Sequence, residues 1–199
     1  MGPVARLCST NRGKLRELRA ALPGWEIELL DATDYPPEDG DTYYANARAK
    51  ADFGRAREPR VWVLGEDSGL EVAGLGGRPG VHSARFGGDD PVGRLLAELN
   101  GVDDRRARYV CELVALSPDG DEQRGTGTLG GRIVDEPRGS EGFGYDPIFV
   151  PGGEERTVAE LGDEWKRSHS HRARAAAELA TRVPAAARPG RSGAPTSTS

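Results

Sequence analysis

Cysteine and histidine are scarce in this chain, and that scarcity closes several routes at once. Cys8 and Cys111 are the only cysteines in 199 residues. Both stand in apolar, strand-like surroundings and read as buried thiols of a reducing compartment rather than a disulfide framework. No C-x-x-C pair occurs, and having only His82, His169 and His171 argues against a zinc site. No apolar run approaches the ~20 residues of a membrane span, and the N-terminus lacks a secretory-signal pattern. A cytoplasmic protein with no membrane partner is expected. Excess positive charge is missing too: the net charge is -5 with 30% charged residues, the wrong balance for a general nucleic-acid binder. No serine or cysteine arrangement resembles a covalent triad.

What is present fits one domain, or one domain with a small lobe. Val4 to Cys8 reads as a short buried strand. Leu15, Leu18 and Leu22 then recur at helical spacing until Pro23-Gly24 stops the helix. A strand is expected over Trp25 to Leu30 and a loop over Pro36 to Asp41. Asp41 or Thr42 can cap a helix running to about Arg57, with Ala49, Phe53 and Ala56 inward and Asn46 and Lys50 sharing a face. Val61 to Leu64 is the clearest buried strand, and Asp90-Pro91 opens a helix with a Val92, Leu95, Leu96, Leu99 stripe.

Arg108 to Leu116 and Gln123 to Val134 are predicted to pair antiparallel through the turn Ser117-Pro118-Asp119-Gly120, although four glycines weaken the second strand. Thr157 to Leu161 reads as a short helical turn, and His171 to Val183 as a helix with Ala173, Ala176, Ala177 and Ala180 along one side. From Pro184 the composition is that of a disordered tail, so the domain is placed at 1–183 and the tail at 184–199. Alternating strands and helices interrupted by a long hairpin predict an α/β fold with a mixed sheet and flanking helices.

Three polar clusters carry the chemistry, the last of them drawn from two stretches. Ser9-Thr10-Asn11-Arg12-Gly13-Lys14 lies at a strand-to-helix junction, where unpaired N–H groups and the helix dipole favour an anion. It is not a G-x-x-x-x-G-K-[ST] loop, because Leu15 follows Lys14. Glu66-Asp67-Ser68-Gly69 follows a buried strand, and carboxylates at a strand end can hold Mg²⁺ or prepare a water; Glu38 is a third acidic partner. Gly142 to Phe149 sets aromatics between glycines and can stack a flat base. The basic stretch Lys166 to Arg172 falls just before or inside the first turn of a helix, a poor place for cations unless an anion sits there. Each cluster also has a plainer reading: a capped polar loop, a tight turn with solvated acids, an aromatic core plug.

Taken together, the chain resembles the inosine/xanthosine triphosphate pyrophosphatase family, the non-canonical purine nucleoside triphosphate pyrophosphatases, over about residues 4 to 183. The resemblance rests on Ser9-Thr10-Asn11 with Lys14, Asn46-Ala47 with Lys50, Asp67-Ser68-Gly69-Leu70, Pro79-Gly80 with Ser83-Ala84-Arg85, Gly142 to Phe149, and Ser170-His171-Arg172. It implies hydrolysis of XTP, ITP and dITP to the monophosphate and pyrophosphate by a Mg²⁺-dependent cytoplasmic homodimer. The implied fold is an elongated α/β sheet with two lobes around the cleft for the nucleoside triphosphate.

By the same resemblance Ser9, Thr10, Asn11, Lys14, Lys50 and Lys166 hold the triphosphate, with Lys14 and Lys50 also serving the chemistry. Asp67 is the metal-associated, water-activating carboxylate, with Glu38 and Glu66 near the ion; Glu66 stands where the motif more often has aspartate. Phe143 stacks on the base, Gly144, Tyr145, Asp146, His171 and Arg172 form its pocket, and Ser68 and Arg85 support the site. Two other readings stay open: a pyrophosphatase for dTTP, UTP or modified pyrimidine triphosphates, and a nucleotide-binding module without catalysis.

Overall fold

The computed structural model describes residues 2–183; the expected tail at 184–199 lies outside them. Six strands form one sheet: β1 Val4–Leu7, β2 Glu26–Leu29, β3 Trp62–Val72, β4 Arg106–Leu116, β5 Glu122–Ile133 and β6 Phe149–Pro151. Their spatial order is β2-β1-β3-β4-β5-β6. The first three strands run parallel and the rest antiparallel, so the sheet is mixed, as expected. The helices are α1 Arg12–Ala21, α2 Tyr43–Arg57, α3 Pro91–Glu98, α4 Val158–His169 and α5 His171–Arg182.

Alternation along the strands assigns the two faces. Leu64, Cys111, Leu113 and Ala115 pack with Leu18 and Leu22 of α1 and with Ala175, Ala176 and Leu179 of α5. Val63, Val114 and Leu116 point the other way, against Ala47 and Ala51 of α2. A third cluster closes the far end of the sheet, where Leu70, Val72, Tyr109 and Phe149 meet Leu95 and Leu99 beside α3.

Glycines set how closely the helices lie. A Cβ on Gly65 would run into the Ala47 carbonyl of α2, and one on Gly125 or Gly127 into the Ala175 or His171 carbonyl of α5. The same glycines that argue against a strand over Gln123 to Val134 are thus what let α5 rest directly on β5.

Several expectations need correction. Glu66-Asp67-Ser68-Gly69 is not a turn after a strand: β3 continues through it for eleven residues. The inward face of α2 is Tyr43, Asn46, Ala47, Lys50, Ala51 and Gly54, whereas Ala49 and Ala56 are exposed and Phe53 is only half-buried. Buried Asn46 and Lys50 outweigh apolarity here because both find partners on β3. In α5 Ala175 and Leu179 join Ala173 and Ala176 on the buried side, while Ala177 is exposed.

The short turn at Thr157 is the start of α4, which kinks at Gly162 (φ 82°) and runs on to His169. Lys166, Arg167 and His169 therefore occupy its last turn, where the helix dipole welcomes cations. The charge conflict inferred from the sequence does not arise for them. Other local signals hold: Thr42 caps α2, Asp90 caps α3, and Gly120 closes the β4–β5 turn onto Ser117.

Candidate active site

The site exists because β1 stops and β3 does not. β1 pairs with β3 only as far as Leu7 opposite Leu64. From Gly65 onward the β1-side edge of β3 has no strand beside it, and a cavity of about 360 Å³ opens there. Asn11, Lys14, Ser68, Phe143, Lys166 and Arg172 are among the residues lining it.

The loop after β1 supplies one wall. Asn11 is the N-cap of α1, its Oδ1 accepting from the N–H groups of Gly13 (2.8 Å) and Lys14 (3.2 Å). Ser9 Oγ accepts from the Asn11 N–H at 3.1 Å, and Thr10 is exposed. Lys14 extends from this first turn, and its Nζ lies 2.6 Å from Oε2 of Glu66.

Glu66 and Asp67 lie side by side on the bare stretch of β3. Glu66 is fully buried, and its Oε1 accepts from Nε (3.2 Å) and Nη2 (2.9 Å) of Arg172. Burial opposes its ionisation, yet Arg172, Lys14 and Lys50 outweigh that and hold the carboxyl well below the ordinary range. Asp67 accepts from Asn46 Nδ2 at 3.0 Å and lies 3.4 Å from Nζ of Lys50. Burial pushes Asp67 upward, only partly offset by Lys50 and Asn46. Lys50 Nζ also donates to the Glu66 carbonyl at 2.9 Å and pairs with the Glu38 carboxylate, and Arg85 holds the Glu38 carbonyl.

The other end is aromatic. Phe143 lies 4.6 Å from Nζ of Lys166 and 5.7 Å from the Arg172 guanidinium carbon. Asp146 Oδ2 accepts from the Phe143 N–H (2.9 Å) and Lys166 Nζ (2.7 Å), which fixes the loop that presents the ring. Tyr145 is buried and donates to the Ser83 carbonyl at 3.2 Å, while Gly144 is exposed at the cavity rim with φ 62°. His171 stacks on Tyr109 with centroids 4.6 Å apart. Burial and the adjacent Arg172 push its imidazole down to about 3, so it is neutral at ordinary pH.

This arrangement has known counterparts. The pattern of the Ham1 family matches residues 5–182. The chain belongs to the Ham1 family. It is 44% identical over 179 residues to the dITP/XTP pyrophosphatase of Deinococcus radiodurans, covering 87% of this chain and 89% of that one. The Staphylococcus aureus Ham1 protein superposes with a TM-score of 0.77 at 33% identity, covering 90% of this chain and all of that one. The nucleoside-triphosphatase, dITP/XTP pyrophosphatase, of Mycobacterium abscessus does so at 0.68 and 39%, covering 91% of this chain and 98% of that one.

Two residues of this Ham1 site carry no sequence signal of function. Glu17, on α1, bridges Arg172 (2.5 Å) and Lys166 (2.6 Å), and those cations bring its carboxyl down to about 2 against the cost of burial. Only its place one turn after Lys14 hints at a role. Tyr109 donates to Asp146 Oδ1 at 3.2 Å beneath the base end. Of the residues named from sequence, Arg85 reaches the site only through Glu38, and exposed Thr10 makes no such link.

Counted together, the cations Lys14, Lys50, Lys166 and Arg172 face five carboxylates, Glu17, Glu38, Glu66, Asp67 and Asp146. Among the described residues no three histidine, cysteine or acidic side chains gather closely enough to form a metal centre by themselves. No described helix is long and apolar enough to cross a membrane.

Proposed function

We propose that this Ham1 protein hydrolyses non-canonical purine nucleoside triphosphates, XTP, ITP and dITP, to the monophosphate and pyrophosphate. The observation that carries the reading is a cavity lined at one end by Lys14 and at the other by the aromatic, cationic group Phe143, Lys166 and Arg172, with the Lys50–Asp67 pair beside it on β3. The first suits a polyphosphate, the second a flat base bearing a carbonyl oxygen. The Deinococcus and Mycobacterium relatives, both named dITP/XTP pyrophosphatases, support it.

Water attacks the α-phosphorus, the bond from it to the α,β-bridging oxygen breaks and pyrophosphate leaves, and developing charge on the phosphate oxygens falls to Lys14 and Lys50. Asp67 is the proton acceptor: Asn46 fixes one oxygen, and burial raises its basicity. Phe143 stacks the base, while Arg172 and neutral His171 meet the 6-oxygen that separates hypoxanthine and xanthine from adenine; guanine shares that oxygen, so its exclusion rests on the 2-position.

A divalent ion fits this donor set. Glu38 and Asp67 already converge on a single positive charge, the Lys50 ammonium, and oxygen-only ligands suit Mg²⁺ completed by phosphate and water. With five carboxylates facing four cations, a triphosphate arriving alone would meet no net positive charge. Mg²⁺ held by Glu38 and Asp67 would supply that charge and ease the deprotonation of water. A cytoplasmic homodimer is part of the same proposal.

The test is pyrophosphate release from ITP, XTP, dITP, GTP, ATP and dTTP, with Mg²⁺ and with chelator, for wild type and Asp67→Asn. Release confined to the first three, Mg²⁺-dependent and reduced about 10³-fold in the variant, is expected. Equal release across the panel, or preference for dTTP, overturns the purine reading.

A further inference from the structure

Consecutive residues of a strand point to opposite sides of its sheet. Glu66 and Ser68 face α1 and α5, where both meet Arg172. Asp67 shares with Gly65 the face under α2, where it meets Asn46 and Lys50. The adjacent acids that look like a chelating pair in the sequence are thus divided by the plane of the sheet.

We propose that Glu66 is a positioning residue that ties Lys14 at the phosphate end to Arg172 at the base end, and that it leaves the divalent ion to Glu38 and Asp67. The inference rests on the pyrophosphatase reading for its names of the two ends. Three observations carry it. Both Glu66 oxygens are already committed, Oε2 to Lys14 at 2.6 Å and Oε1 to two nitrogens of Arg172, with the Cys111 thiol at 3.4 Å. A metal could enter only by displacing half-buried Lys14 or buried Arg172. Lys50, the cation of the α2 side, meets Glu66 through its backbone carbonyl and not its carboxylate. Arg172 is itself held by Glu17 and Ser68, so a carboxylate spanning from it to Lys14 fixes the distance between the two ends. Aspartate, one methylene shorter, would reach only one of them.

The experiment compares full-length Glu66→Gln, Glu66→Asp and Glu38→Gln by calorimetry. Mn²⁺ is titrated into each protein saturated with α,β-methylene-ITP, which resists cleavage at the reacting bond. Separately, IMP is titrated in chelator, where no metal contributes. Glu66→Gln is expected to keep its Mn²⁺ affinity within about twofold of wild type, since the Glu66 carboxylate bonds Lys14 and Arg172 and none of Glu38, Asp67 or Lys50. Its IMP affinity falls about tenfold or more with the loss of charge-assisted bonds that seat Arg172. Glu38→Gln shows the reverse, with Mn²⁺ weakened about 10- to 100-fold.

A loss of Mn²⁺ affinity in Glu66→Gln equal to that in Glu38→Gln overturns the inference, and so does unchanged IMP binding. Should Glu66→Gln fail to fold, Glu66→Asp keeps the charge and is held to the same two outcomes. Wild-type protein that binds IMP and Mn²⁺ yet releases no pyrophosphate from ITP overturns the pyrophosphatase reading and leaves the role of Glu66 to be decided by the titrations. Protein that binds neither overturns both.

Discussion

The Lys50 ammonium lies 3.4 Å from Oδ1 of Asp67 and 2.9 Å from the carbonyl of Glu66, so one lysine of α2 grips both the side chain and the backbone of β3. Lys50→Met keeps the length and removes the charge. Its kcat on ITP is expected to fall about 10²- to 10³-fold. Asp67 and Glu38 then face each other without a shared cation, so the acid limb of the pH–rate profile moves to higher pH. Steady-state rates from pH 5 to 9 check both; an unmoved acid limb would remove Asp67 from the role of base.

Phe143 divides the work differently. Phe143→Ala is expected to raise KM for ITP between about 5- and 150-fold, the range of one lost base–aromatic stack, and to change kcat little. Inorganic triphosphate, which has no base, should inhibit wild type and variant equally well. Weaker inhibition of the variant would place the ring against phosphate instead.

Stability depends on pH through buried groups whose signs differ. His171 sits at about 3 in the fold against 6.5 when free, so below 6.5 the unfolded chain takes up a proton that the folded chain refuses. Stability therefore declines from pH 6.5 toward 3. Glu17, held at about 2 instead of 4.5, adds a second decline as pH falls from 4.5 to 2. Asp67 and Asp146, pushed up by burial, oppose both. The His171 contribution amounts to on the order of 1 kcal/mol per pH unit. Thermal melts should show Tm falling from pH 6.5 to 4.5, and His171→Phe should flatten that window. An identical slope in wild type and His171→Phe would exclude a buried neutral imidazole.

Gly65→Ala tests how the helix delivers its side chains. The new methyl meets the Ala47 carbonyl, so α2 must lift from the sheet, at about 1–3 kcal/mol. Activity should fall further than the loss of folded protein explains, because Asn46 and Lys50 retreat with the helix. Gly130→Ala, with open space around the new methyl, is the control and should alter neither. Equal activity per folded molecule in Gly65→Ala would show that the helix position is not critical.

The sequence displays the strand and helix order because apolar spacing, Pro23-Gly24, Thr42, Asp90-Pro91 and the Ser117–Gly120 turn are local signals. It hides whatever depends on partners. The eleven-residue course of β3 is masked by Glu66 and Asp67, two charges that no local rule admits to a strand interior. Both are supported only because Arg172, 106 residues away in sequence, and Lys50, from the opposite face, arrive there. The α2 face is hidden for the same reason, since a lysine and an asparagine occupy positions that periodicity reserves for apolar residues. Glu17 gives no local signal because a buried carboxylate on a helix looks in sequence like any surface one; its cations, Lys166 and Arg172, lie far along the chain.

Every cation of the cavity is paired before any nucleotide arrives. An enzyme that scavenges rare triphosphates works among an excess of ordinary ones carrying the same phosphates. Unpaired lysines would bind them all tightly, and the site would stay filled with molecules it should ignore. Because phosphate must instead compete with Glu66, Glu38, Asp67 and Glu17, the tail of any nucleotide gains little by entering alone. Occupancy is then left to the base, the one part of the molecule that tells a damaged nucleotide from an intact one.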